Sequence, residues 1–73
     1  MDMITEERTV RVLVMGEISL MKGCFYTAAK LANKPTLRTV DIRLIRQAMA
    51  TLADRGLVEQ GVGYGGADTI GVR

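Results

Sequence analysis

Arg43, Arg46 and Gln47 stand three and four residues apart, a spacing that brings all three to one side of an α-helix. Counted at about 100° per residue, Ala50 and Asp54 complete the same narrow polar face. The chemistry such a face offers is base recognition: a guanidinium fork matches the paired acceptors of guanine, and a glutamine amide matches adenine. Both geometries suit a helix laid in the major groove of a duplex, where the small Ala50 lets another surface come close. Lys30, Lys34, Thr36, Arg38 and Thr39 would surround the start of that helix, where contacts to phosphate commonly set register. From Lys34 to Arg46 the basic residues Lys34, Arg38, Arg43 and Arg46 face a single acid, Asp41. Taken alone, a face of this kind is more often solvated surface than a binding site.

Other chemistries find little support. The 73 residues contain no His and no Trp, and a single Cys, Cys24, so His-based acid–base catalysis, a Cys/His zinc site and an internal disulfide are all excluded. No nucleophile is paired with a base, and neither an enzymatic activity nor a cofactor is expected. Glu6/Glu7 and Asp41/Asp54 read as helix-end and surface charges, and Cys24 beside Phe25 reads as a small buried hydrophobe. Gly61-Val62-Gly63-Tyr64-Gly65-Gly66 matches G-x-G-x-x-G, but dinucleotide binding needs a helix to follow within a βαβ unit, and seven residues remain after Gly66. A glycine-rich hairpin turn is the physical alternative. With three aromatic residues in all, a stacking platform for single strands is equally unsupported.

The elements that must position the Arg/Gln face follow from periodicity and caps. Thr5 with Glu6 and Glu7 reads as a helix start, and Val10, Leu13, Val14, Ile18 and Met21 recur on one stripe, which predicts a first helix over 6–21. Gly16 lies inside it at a cost of about 1 kcal/mol relative to Ala, and Gly23 marks its stop. Cys24-Phe25-Tyr26 is a short extended segment. Thr27 caps a small-residue helix over 28–33, which Pro35 ends while pushing Lys34 into an extended conformation. After a loop at Thr36-Leu37-Arg38, Thr39 is expected to cap the longest helix, over 39–55. Ile42, Ile45, Met49 and Leu52 form its apolar stripe, with Val40, Leu44 and Ala48 as a second beside it. Gly56 at the first position past the end, followed by Leu57, is the signature of a Schellman stop. The remaining stretch predicts a hairpin: strand 57–62, turn 63–67, strand 68–73.

The order helix, short strand, helix, helix, hairpin resembles the winged helix-turn-helix family of DNA-binding domains over nearly the whole chain. The residues that carry the resemblance are Phe25-Tyr26-Thr27-Ala28-Ala29-Lys30-Leu31-Ala32 and the run from Ile45 through Ala53-Asp54-Arg55-Gly56 to Leu57-Val58. The first looks like the family's strand and second helix, the second like its recognition helix running into a Gly-Leu-Val exit. The resemblance implies an α+β fold in which residues 1–73 form one winged-helix domain. It also implies that the hairpin tip with Tyr64 is a wing lying along the DNA, joining Tyr64 to Lys34, Thr36, Arg38, Thr39, Arg43, Arg46 and Gln47 as expected DNA-contacting residues. The brevity of the chain is similar to small bacterial or bacteriophage transcriptional regulators.

Two functions are carried forward from the sequence. One is sequence-specific binding of double-stranded DNA, with a homodimer reading two half-sites because one copy makes few phosphate contacts. The other is a protein-interaction module on the same fold, for example a phage protein binding a host factor. It is suggested by the formal charge of only +2, the long connection from Asn33 to Arg38 and apolar surface expected at Val40 and Leu44. The lone cysteine and a beginning without a basic, apolar leader point to a cytoplasmic protein, and no segment reads as a membrane span.

Overall fold

A computed structural model describes residues 7–72, apart from the side chain of Tyr64. Helix α1 (Glu7–Ser19) leads into strand β1 (Phe25–Thr27) and helix α2 (Ala28–Ala32). A single 3-10 turn (Pro35–Leu37) then leads into helix α3 (Ile42–Asp54) and the strands β2 (Glu59–Val62) and β3 (Asp68–Gly71). The three strands form one antiparallel sheet in the order β1-β3-β2. The result is a small α+β fold of three helices on one three-stranded sheet.

The core forms where the apolar stripes meet. Val10, Val14 and Ile18 of α1 are fully buried, one every turn, and they face Ile45, Met49 and Leu52 of α3 together with Leu31 of α2. Ile70 of the central strand brings the sheet into the same cluster, as does Tyr26 directly opposite it. Because paired residues of an antiparallel sheet share a face, Tyr26, Ile70 and Gln60 look toward the helices, whereas Phe25, Thr27, Gly61, Thr69 and Gly71 lie on the other side.

That far side dictates glycine. A Cβ on Gly71 would stand 2.5 Å from the Cys24 carbonyl oxygen and 3.0 Å from Cγ of Phe25. One on Gly61 would meet Oγ1 of Thr69 at 2.9 Å. The Phe25 ring therefore sits close against both Gly71 and Gly61 on the side of the sheet away from the helices. In the hairpin turn Gly65 and Gly66 both take positive φ, which closes β2 onto β3. The G-x-G-x-x-G run is thus a turn between paired strands, as expected.

Several sequence expectations are corrected. Helix α3 begins at Ile42, not near Thr39, and its cap is Asp41, whose carboxylate accepts the Arg43 backbone N–H at 2.9 Å. Aspartate is the stronger N-cap residue, and Thr39 is left before the helix in an exposed turn. Val40 consequently belongs to no helical stripe. It is buried in the approach to α3, beside the fully buried Leu37, and Leu44 is half-buried against the core. The apolar surface expected at Val40 is absent, and at Leu44 it is reduced to the exposed part of a half-buried side chain. Residues 36–38, expected as a loop, are partly wound into the 3-10 turn because Leu37 is drawn into the core. Cys24, expected to be buried, is exposed, since it precedes the strand whose pairing begins at Phe25. The first helix is shorter than 6–21, ending at Ser19, whose hydroxyl donates back to the Met15 carbonyl. The strands run 25–27, 59–62 and 68–71, not 24–26, 57–62 and 68–73. Thr5, Glu6 and Arg73 lie outside the described residues.

Other local expectations agree with the structure. The Thr27 hydroxyl accepts the Lys30 N–H at 3.2 Å at the start of α2, and Lys34 before Pro35 is extended at φ −70, ψ 141. At the end of α3 the Leu57 N–H reaches the Leu52 carbonyl and the Gly56 N–H reaches Ala53, both at 3.0 Å, with Gly56 at φ +71. These two bonds define the Schellman stop. Among the described residues no helix is long and apolar enough to cross a membrane.

Candidate nucleic-acid interface

Helix α3 divides its circumference cleanly. Ile45, Ala48, Met49 and Leu52 are buried, while Arg43, Arg46, Gln47, Ala50 and Asp54 are exposed. Packing against α1 and α2 uses up the apolar side and leaves the Arg/Gln face exposed.

Beside it runs a groove of about 400 Å³. One wall is α3, through Arg46, Met49 and Ala50. The start of α2 supplies Ala28 and Ala29, and the β2–β3 hairpin supplies Gln60, Ala67 and Asp68. The alanines keep it open, because longer side chains at any of those positions would fill it. Its charged groups are Arg46 and Asp68. Of the described side chains expected from sequence to contact DNA, Arg46 alone lines this groove, together with the small Ala50 of the same face; Gln47 lies exposed one position further round the helix.

The cations at the approach to α3 are individually engaged in different ways. Arg43 donates from Nε (3.3 Å) and Nη2 (2.9 Å) to the two carboxylate oxygens of Asp41, while its side chain stays 84% exposed. The side-chain hydrogen bond from Arg43, reinforced by its backbone N–H, holds the Asp41 carboxyl below its ordinary pKa, and the same pairing raises that of Arg43. Lys34 places its ammonium 5.3 Å from the centroid of the Tyr26 ring, a cation–π contact that ties the connection after α2 back to β1. Thr36 donates its hydroxyl to Glu17 of α1 at 3.0 Å. It is therefore turned toward an acid, which sets it apart from a phosphate-contacting role. Lys30, Arg38 and Thr39 are exposed. For Tyr64 the backbone lies in the hairpin turn, and its side chain lies outside the described residues.

The arrangement thus brings Arg43, Arg46 and Gln47 onto one open surface with Lys30 and Arg38 exposed in the neighbouring segments, and it separates Thr36 from them. Two parts of the site go beyond the sequence reading. A helix over 39–55 puts Asp41 inside its first turn, whereas its type and its place two residues before Arg43 are the signal of a cap that can also reach the side chain. Gln60 and Asp68 were missed because their position in the groove depends on the strand order, to which no local pattern points. Among the described residues no group of three His, Cys, Asp or Glu is placed to hold a metal ion. Comparison with known proteins returns no match: no family model, curated protein or solved structure is sufficiently similar to this chain.

Proposed function

We propose that this chain is a winged helix-turn-helix domain that binds double-stranded DNA, with α3 entering the major groove and the β2–β3 hairpin alongside as the wing. The observation that carries the reading is the face of α3. Two arginines and a glutamine stand exposed on a helix whose other sides are committed to the core, with Ala50 leaving room for close approach. A helix presenting these side chains outward is what base-edge recognition requires. The basic segment 34–46 supplies the sequence-independent attraction to phosphate, and two copies on half-sites about one helical turn apart supply useful affinity from so small a surface. On this reading the protein is a small regulator of transcription, of the kind found in bacteria and bacteriophages, acting in the cytoplasm without enzymatic activity or cofactor.

The test is a titration of duplex DNA at several salt concentrations. Affinity falls steeply as salt rises, and Arg46→Ala weakens specific binding by about 1–3 kcal/mol. Absence of binding to any duplex at low salt would refute the proposal.

A second reading, docking on another protein, is favoured by a different surface. Val12 on α1 and Leu20 and Met21 just after it are 66%, 74% and 57% exposed, large apolar side chains that the fold leaves uncovered. Stoichiometric capture of one protein partner, unaffected by nuclease and by Arg46→Ala, would support it.

A further inference from the structure

Arg43 and Asp41 form a unit whose geometry limits what it can read. A guanidinium has five N–H donors along three edges. Asp41 takes the edge made by Nε and Nη2, at 3.3 and 2.9 Å, with one carboxylate oxygen on each nitrogen. The same carboxylate is fixed in turn by capping α3, since Oδ1 accepts the Arg43 backbone N–H at 2.9 Å. A group that would otherwise sweep through many rotamers is thus clamped to the helix it grows from. What remains outward is the end-on edge, one N–H from each of the two terminal nitrogens, parallel and pointing into solvent on a side chain 84% exposed.

Resting on the DNA-binding reading above, we infer that Asp41 is the positioning residue of a guanine-reading unit, aligning the end-on edge of Arg43 with the O6 and N7 acceptors of one guanine at a fixed place in the target duplex. Two consequences follow from charge. The pair is neutral as a whole, so Arg43 adds little to the general attraction for phosphate, which falls to Arg46, Lys30 and Arg38. A carboxylate at the start of α3 also repels a phosphate, so this end of the helix faces base edges and not the backbone. The carboxylate's remaining lone pairs are suited to the exocyclic amine of the paired cytosine, which makes a G·C pair the complement of the whole unit.

The experiment selects bound sequences from a random duplex pool with the wild-type chain, Asp41→Asn and Arg43→Lys, and measures non-specific duplex affinity against salt for each. Asparagine caps a helix as well as aspartate, so Asp41→Asn keeps α3 while freeing the guanidinium, and a thermal melt of each variant checks that the fold is retained. The wild type enriches a G at one fixed position. Both variants reduce that preference by about tenfold or more while leaving preferences elsewhere in the site in place. Asp41→Asn at the same time binds non-specific duplex more tightly and with a steeper salt dependence, because it exposes an unneutralised cation. A purely structural cap would produce neither change. If the wild type selects a sequence and both variants select the same one unaltered, the inference fails and the DNA-binding reading stands. If Asp41→Asn raises affinity with no loss of G preference, Arg43 contacts phosphate and the inference fails. If the wild type binds no duplex, the reading beneath it fails and this inference fails with it.

Discussion

At the scale of single residues, Asp41 carries more than its exposure suggests. Its Oδ1 caps α3, Oδ1 and Oδ2 together hold the Arg43 guanidinium, and its carboxyl is held below the ordinary range chiefly by the side-chain hydrogen bond from that arginine. A carboxyl whose folded pKa lies below its unfolded value of about 3.9 contributes its stability in full above that value, and loses it as pH falls through the lowered folded value. Asparagine does not titrate. The margin of wild type over Asp41→Asn in thermal unfolding should therefore be constant near neutral pH and shrink on acidification below about pH 4; a margin that does not change with pH would contradict the assignment. Arg46 belongs to the same scale. It lines the groove between α3 and the hairpin, and it has no structural partner among the described residues whose loss would unfold the chain. Arg46→Ala should weaken duplex binding and leave the melting temperature within about 2–4 °C of wild type, since exposed substitutions usually stay within about 0.5 kcal/mol.

At the scale of elements, two glycines have opposite meanings. Gly16 sits in the middle of α1 with nothing within 4 Å of a Cβ added there, so helix propensity alone decides and Gly16→Ala should stabilise the chain by about 0.5–1 kcal/mol. Gly71 lies in the central strand against the Cys24 carbonyl and the Phe25 ring, and Gly71→Ala should destabilise by about 1–3 kcal/mol as β1 is pushed off β3. Denaturant titrations of the two variants give the signs directly, and equal signs would contradict the packing described. The same contrast explains what could be read from sequence. Thr27, Gly56 and the Val10-Val14-Ile18 part of the first stripe are local signals, acting within one turn of chain, and each places its element, whereas Met21 of the same stripe falls beyond the end of α1 and is exposed. The start of α3 is not fixed locally, because two capping residues, Thr39 and Asp41, compete within three positions and the outcome depends on Leu37 and Val40 being drawn into the core ahead of the helix. The burial of Cys24 depends likewise on strand register, not on its neighbour in sequence. The exposed α3 face is legible because periodicity fixes it; the groove beside it is not, because the hairpin carrying Gln60 and Asp68 is joined to the start of α2 by the long-range pairing of β3 with β1.

At the scale of the whole molecule, stability rests on the buried core and the proposed binding on the exposed face of α3, with Asp41 belonging to both. Val10, Val14, Ile18, Leu31, Leu37 and Ile45 are completely buried in a chain of 73 residues, so one truncation removes a large part of the core. Ile45→Ala should cost about 2–5 kcal/mol, comparable to the whole stability of a domain this small, and circular dichroism should show a largely unfolded chain; a melt close to that of wild type would contradict the placement of Ile45 at the centre. The net charge of +2 conceals a local asymmetry, with four cations against one acid between Lys34 and Arg46, and one of those cations is already neutralised by Asp41. Duplex binding should accordingly be local and salt-sensitive. The most direct test is to follow backbone amide resonances while a short duplex is added at low salt. The account predicts shifts concentrated on residues 43–50 of α3 and on the hairpin at 60–68, fading as salt is raised. Shifts concentrated instead on the outer face of α1 around Val12 and Gly16, or no shifts at all, would contradict it.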